Sequence, residues 1–305
     1  MIVVGGEALV DLVEEGDRLR PVPGGGPFNT AIALGRLGLP VSFLGTLSSD
    51  AYGTLMEGLL VEAGVDTSLV WRSGAPTPLA VVHRGPDGAN AYTFYLTGTA
   101  LTDFPSGVAP ELPDDTIALH VGTLGLAVDP PAGTFQAMLE REAGRMTIVL
   151  DPNVRPAVFG DQAGYRRRFE RLAALATVVK MSDGDAAWIY PGLAPSEALA
   201  HVLALGPRVV AVTLGPDGAI AATRDSQARI AAVPVDIVDT VGAGDVFGAA
   251  LLAALIERDA LAPDAAALEE ALAFAATAAA ITCTRTGAIP PSRDEIDDWL
   301  ASVPS

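Results

Sequence analysis

Short apolar runs rich in Val and Ile recur along this chain, separated by stretches whose apolar positions fall three to four residues apart. The runs Ile2–Val4, Val41–Leu44, Ile117–Val121, Thr147–Leu150, Thr177–Lys180 and Val209–Thr213 predict strands. The patterns Phe28–Leu37, Leu55–Ala63, Thr134–Ala143, Tyr165–Leu175 and Ser196–Leu205 predict the helices between them. Such alternation implies right-handed βαβ units and an α/β fold with a mainly parallel central sheet, covered on both faces. After Ile230 the pattern changes to two Ala-rich helices, Ala243–Glu257 and Ala265–Thr282. A last helix opens at Ser292-Arg293-Asp294-Glu295, a capping box. One insert breaks the rhythm: Leu79–His83 and Ala91–Leu96 are strand-like, flank the turn-forming GPDGAN and predict a β-hairpin. Standing outside a parallel sheet, such a hairpin is either decoration or a lid over the crevice beyond the strands' carboxyl ends. The acidic segment Val10–Pro23 is a candidate for further lid strands. With no repeat or linker in 305 residues, the pattern predicts one domain over 1–305, with lid segments at roughly 10–23 and 79–97.

Composition narrows the function. Half of the residues are hydrophobic and only 18% are charged, which favours a large buried core over disorder. The longest apolar runs, Val246–Ile256 and Ala271–Ile281, are about half the length that crosses a bilayer, so no membrane partner is expected. The N-terminus turns acidic at once and does not read as a signal peptide, and the lone Cys283 suits a reducing cytoplasm. A net charge of −18, with no basic stretch beyond Arg166-Arg167-Arg168, argues against nucleic acid. The three histidines, His83, His120 and His201, lack metal-ligand spacing. The only lysine is Lys180, in TVVKMS, which matches neither a Walker A loop nor a protein-kinase site. Any nucleotide phosphate is therefore expected on backbone N–H groups and arginine.

Two segments carry candidate chemistry. In Val238–Leu252, VDTVGAGDVFGAALL, glycines precede a strongly helical run and place the N–H groups of Gly242, Ala243, Gly244 and Asp245 at a helix start, an anion site. Taken alone, Asp245 is first of all a first-turn carboxylate favoured by the helix dipole. Its functional reading is a base that takes a proton from an attacking hydroxyl while the N–H groups receive a phosphoryl group. In Pro23–Asn29, PGGGPFN, three glycines permit close backbone approach and Asn29 offers a donor and an acceptor, although a flexible turn has the same pattern. Upstream, GGEALVD carries an acidic residue able to grip paired hydroxyls, and GxGxxG is absent.

Together, PGGGPFNTA (23–31) and DTVGAGDVFGAAL (239–251) resemble, in order and separation, the two signatures of the ribokinase (PfkB) family of carbohydrate kinases. The resemblance runs from residue 2 to the region of residue 300. It implies a ribokinase-like three-layer fold with a small β lid, and ATP-dependent transfer of the γ-phosphoryl group to a hydroxyl of a small sugar. It implies Asp245 as base, with the Gly242-Ala243-Gly244 backbone neutralising phosphate charge; this suits a loose transition state governed by positioning and electrostatics. By the same resemblance, Asp11, Gly25, Gly26 and Asn29 hold the sugar. Thr213, Gly215 and Gly218 in VTLGPDG match the nucleotide-binding strand end, and Ala276 stands at the adenine-pocket position that is Asn in ribokinase, leaving nucleotide selectivity open. Asp239, with backbone near Arg285–Gly287, matches a monovalent-cation site, with K⁺ implied. Ser182-Asp183-Gly184-Asp185 stands where the family has Asn-x-x-Glu, which orders Mg²⁺ through water; Asp185 keeps the carboxylate.

The run Asp151-Pro152-Asn153-Val154-Arg155 resembles the DPNxR of fructokinase-like and 2-keto-3-deoxygluconate kinase-like members, implying substrate roles for Asn153 and Arg155. Those members end a lid strand in FYR, whereas this chain reads Phe94-Tyr95-Leu96, a loss that weakens a carboxylate-bearing substrate most. Arg84 and Arg155 are few cations for a phosphorylated sugar. Fructose is the expected substrate; ketodeoxygluconate or another sugar or nucleoside is the alternative within the family. A non-catalytic sugar or nucleotide sensor is the alternative of another class, disfavoured by the intact Asp245. A Rossmann dehydrogenase is disfavoured by the missing GxGxxG. The resemblance allows a monomer, or a homodimer paired through lid strands.

Overall fold

The computed structural model describes residues 1–84, 90–105, 109–258 and 261–302. Its strands are β1 (Ile2–Gly5), β2 (Leu9–Glu15), β3 (Arg18–Gly24), β4 (Val41–Ser48), β5 (Val70–Ser73), β6 (Leu79–Arg84), β7 (Asn90–Tyr95), β8 (Ala118–Gly122), β9 (Thr147–Asp151), β10 (Val178–Ser182), β11 (Val209–Thr213), β12 (Ala219–Ala222) and β13 (Gln227–Ile230). Its helices are α1 (Gly26–Arg36), α2 (Ala51–Glu62), α3 (Pro131–Glu142), α4 (Gln162–Ala173), α5 (Asp183–Ile189), α6 (Pro195–Leu205), α7 (Ala243–Glu257), α8 (Ala265–Cys283) and α9 (Arg293–Ser302).

Nine strands form the central sheet in the order β13-β12-β11-β10-β9-β8-β1-β4-β5, parallel from β11 to β5 and antiparallel across β11, β12 and β13. This is the predicted α/β architecture, and all six predicted central strands are present. The antiparallel β12–β13 edge was not expected, because strands of four residues carry too little alternation to stand out. The sheet buries both faces. Ile2, Val4, Val149 and Val178 pack with α7 and α8 residues in one core, and Val3, Ile148, Leu150 and Val179 enter the other, as period-two alternation requires.

The predicted hairpin is half of a second sheet, of order β3-β2-β6-β7, in which β2 runs parallel to β6 and the outer pairs are antiparallel. The acidic segment thus supplies two strands. Residues 85–89 of the predicted GPDGAN turn and the Arg84 side chain lie outside the described residues. The capping box of α9 forms: Ser292 N–H donates to Glu295 Oε2 at 2.7 Å, and Glu295 N–H to Ser292 Oγ at 3.3 Å. α8 matches the predicted helix Ala265–Thr282 to within one residue. By length and composition it could cross a membrane, but 61% of that window is buried in the fold.

Candidate active site

The carboxyl ends of β1, β8, β9, β10 and β11 align along one edge of the sheet, where Gly5 lies beside Val121, Gly122 beside Asp151, and Ser182 beside Thr213. In open α/β sheets this edge is where ligands bind. The chain leaves β1 through Gly6 and Glu7. The buried Glu7 carboxyl accepts N–H bonds from Gly26 and Gly125, each 3.2 Å, and so ties the start of α1 to the 3₁₀ turn Thr123–Leu126. Burial raises its pKa to about 8, against a hydrogen bond from its own backbone N–H, the attraction of Arg155 and the Gly125 bond. Gly25, at φ 114°, lets the chain turn sharply into α1 where any Cβ would press on the Glu7 carbonyl.

α1 carries Asn29 inward, and its Nδ2 donates to Asp245 Oδ2 at 2.8 Å. From the loop after β9, Asn153 Nδ2 donates to Asp245 Oδ1 at 3.2 Å. Asn153 holds φ 37° and Thr123 φ 49°, a region that Asn tolerates and a β-branched residue rarely adopts. Arg155 donates through Nη1 to Asn153 Oδ1 at 2.7 Å, and its guanidinium lies 5.6 Å from the centre of the Tyr92 ring on the small sheet. Asp245 is buried in the first turn of α7. Its pKa rises to about 6, chiefly through burial and then the nearby Asp151, against Lys180, the Asn29 bond and Arg155. Asp11 on β2 rises to about 6, mainly by burial.

These groups enclose a cavity of about 210 Å³ lined by Glu7, Asp11, Gly25, Gly26, Asn29, Tyr92, Phe94, Thr123, Asn153, Arg155, Gly242, Gly244 and Asp245, among others. Nine of the predicted site residues meet here: Asp11, Gly25, Gly26, Asn29, Asn153, Arg155, Gly242, Gly244 and Asp245. Ala243 does not line it, and its N–H donates to Thr240 O at 3.3 Å, so one of the four predicted free donors is engaged. Glu7, Thr123, Tyr92 and Phe94 were missed as site residues. Tyr92 and Phe94 lay in the predicted hairpin, and only their alternation toward one face marks them.

The other predicted residues lie outside this cavity. Thr213 ends β11 beside Ser182. Gly215 and Gly218, at φ 56° and 89°, shape the turn into β12, closed by Leu214 N–H to Gly218 O at 2.8 Å. Ala276 is buried on α8, which packs against β12 and β13. Asp239 accepts N–H bonds from Val241 (3.1 Å) and Gly287 (2.9 Å), joining the loop before α7 to the chain before α9. Asp185 caps α5 reciprocally with Ser182 and accepts Val154 N–H at 2.6 Å. Each of these carboxylates retains acceptor capacity for a cation or its water. Among the described residues, no three His, Cys, Asp or Glu side chains gather as a metal site.

A buried carboxylate held by two amide donors, facing a small polar cavity and a helix start, can accept a proton from a hydroxyl beside a bound anion, chemistry that suits a kinase of small hydroxylated molecules. The chain belongs to the pfkB family of carbohydrate kinases, whose profile matches residues 2–295. It is 39% identical over 262 residues to a fructokinase of Rhizobium leguminosarum bv. trifolii, covering 84% of this chain and 79% of that one. The fold matches a fructokinase from Vibrio cholerae O395, solved with fructose, ADP and calcium ion, at a TM-score of 0.86, 28% identity and 98% coverage of both chains. It matches a fructokinase from Xylella fastidiosa, solved with bound ATP, at 0.87, 26% and 98% of both.

Proposed function

We propose that this carbohydrate kinase transfers the γ-phosphoryl group of ATP to a hydroxyl of fructose, with Asp245 as general base. The observation that carries this reading is the Asp245 carboxylate, fixed by Asn29 and Asn153 on the wall of a small polar cavity. At about 210 Å³ that cavity is smaller than the ~300–1,000 Å³ of drug-sized sites, a scale suited to a monosaccharide. Asp11, Asn29 and Asn153 offer hydroxyl partners, and Tyr92 and Phe94 cover an apolar side of the ring. The fructokinase relatives favour fructose over ketodeoxygluconate. A base with pKa near 6 is ionised at neutral pH and close enough to it to accept a proton. The Gly244 and Asp245 N–H groups, at the start of α7 where helical acceptors are lacking, receive the charge of the transferring group.

Thr213, Gly215, Gly218 and Ala276 are proposed to carry the nucleotide. Asp185 is proposed to orient the water of a bound Mg²⁺, which would neutralise charge on the phosphates. Asp239 and the Arg285–Gly287 backbone are proposed to hold K⁺. The small sheet is proposed as a lid, and a reducing cytoplasm as the setting of the free Cys283. A coupled ADP-release screen over fructose, ribose, other ketoses, ketodeoxygluconate and nucleosides tests the reading. Fructose should give the highest kcat/KM. A higher value for another acceptor would displace fructose, and no ADP release with any acceptor would sink the kinase assignment.

A further inference from the structure

Alternation along the strands puts His120 on β8, Asp151 on β9 and Lys180 on β10 on the same sheet face as Ala118, Val149 and Val178, the face that α7 covers. Lys180 and Asp151 are each 4% exposed, and Lys180 Nζ donates to Asp151 Oδ2 at 2.9 Å. The lysine stem lies in a groove that Gly244 and Gly248, one turn apart, leave in α7. A Cβ on Gly244 would stand 3.2 Å from Lys180 Nζ, and one on Gly248 3.6 Å from Lys180 Cδ. A compact ammonium fits that groove better than a guanidinium fork, and this is the single position where the chain uses lysine instead of arginine.

A buried ion pair is weak in stability terms, since an apolar pair of equal volume often serves as well. Its location supplies a stronger reason, because the ammonium abuts Gly244, in the turn that bears Asp245. Resting on the reading of Asp245 as base, we propose that Lys180 is a positioning residue for phosphoryl transfer: its ammonium fixes Asp151 and balances Asp245 from beneath the first turn of α7.

The charged groups that face Asp245 are Asp151 and Arg155 from β9 and its loop, Lys180 from β10, and Glu7 and Asp11 from the β1–β2 segment. Asp185 on α5 acts on Lys180 and feels Asp151, while α1 contributes the neutral Asn29. Burial opposes the charge on Lys180, but Asp151 and Asp245 outweigh it and hold its pKa above the usual value. His120 is kept neutral, its pKa driven down to about 3 by burial and by Lys180. Among the described residues Asp151 Oδ1 has no hydrogen-bond partner, so Lys180 is the hydrogen-bonding group that offsets this carboxylate. Without Lys180, Asp245 would lose an attraction that favours its ionised form, and the positive end of the pair would be missing under the anion hole.

The test is Lys180→Met, with Lys180→Met/Asp151→Leu as a second variant that leaves no unpaired buried charge. The parent is first assayed for ADP release, so that failure of the kinase reading is seen separately. In Lys180→Met, kcat should fall about tenfold or more with sugar KM within about twofold, and the acidic limb of the kcat/KM profile should move up by about one pH unit. Carboxyl-carbon NMR of the ligand-free protein, assigned with Asp245→Asn, should show the same upward move of the Asp245 titration. In the double variant the limb should return toward that of the parent while kcat stays low. If Lys180→Met does not fold, the double variant decides by its kcat. A folded variant with parental kcat and an unmoved Asp245 titration overturns the proposal.

Discussion

Replacing Asp245 by Asn should separate catalysis from stability, in opposite directions. Asp245 is buried, and its pKa rises from an ordinary 3.8 to about 6, with burial the largest cause. A carboxyl whose folded pKa exceeds its unfolded one stabilises fully below the unfolded value, and that contribution is lost as pH rises through the folded value. At about 1.4 kcal/mol per unit, ionised Asp245 costs the fold about 3 kcal/mol above pH 7, and roughly half of that near pH 5. Asn carries no charge and avoids this cost, but its amide leaves either Asn29 or Asn153 without an acceptor, a loss of about 1 kcal/mol at every pH. Glu7 and Asp11 titrate in both proteins and cancel to first order. The melting temperature of ligand-free Asp245→Asn should therefore exceed that of the parent at pH 8, and the gap should shrink by roughly 2 °C at pH 5. In the same protein kcat should fall at least about a hundredfold while sugar affinity stays near normal. A gap that is constant with pH, or one that grows toward pH 5, would refute the electrostatic account; wild-type-like turnover would refute the base.

Asp11→Ala should raise the sugar KM by about tenfold with a smaller effect on kcat, and an unchanged KM would remove Asp11 from the sugar site. A Cβ on Gly26 would overlap Thr123 Oγ1 and come within 2.9 Å of Asn153 Nδ2. Gly26→Ala should thus displace those side chains and lower kcat/KM by about tenfold or more; parental kinetics would show that the cavity wall yields freely. If the small sheet closes on ligand, hydrogen exchange in β2, β6 and β7 should slow when fructose is added, and no change would make it decoration. Replacing Na⁺ by K⁺ should raise activity if Asp239 holds a monovalent ion, and indifference to the ion would count against it.

Much of the central architecture was legible because buried parallel strands are continuous apolar runs and their covering helices repeat every three to four residues. The β12–β13 edge, β5 and α5 were not, since elements of four to seven residues lack a full period to read. In the site, the residues within the two glycine-rich segments were readable because glycine is informative about backbone approach. Glu7 was not: it acts by receiving the Gly26 and Gly125 N–H groups, from residues 19 and 118 positions away. In the sequence Lys180 bears only on the absence of a Walker loop. Its partner Asp151, 29 positions distant, is set by strand pairing between β9 and β10.

The sequence by itself determined the layered α/β plan, the helix start at Gly242–Asp245 and the glycine turn before Asn29, because these rest on local backbone preference and periodicity. Only the tertiary structure decided that Asn29 reaches Asp245 across 216 positions, that Asn153 completes the clasp, and that Lys180 lies beneath them. Those facts depend on strand order and burial. Burial in turn sets the cost of each charge, and no local pattern records which carboxylates will share one dry site.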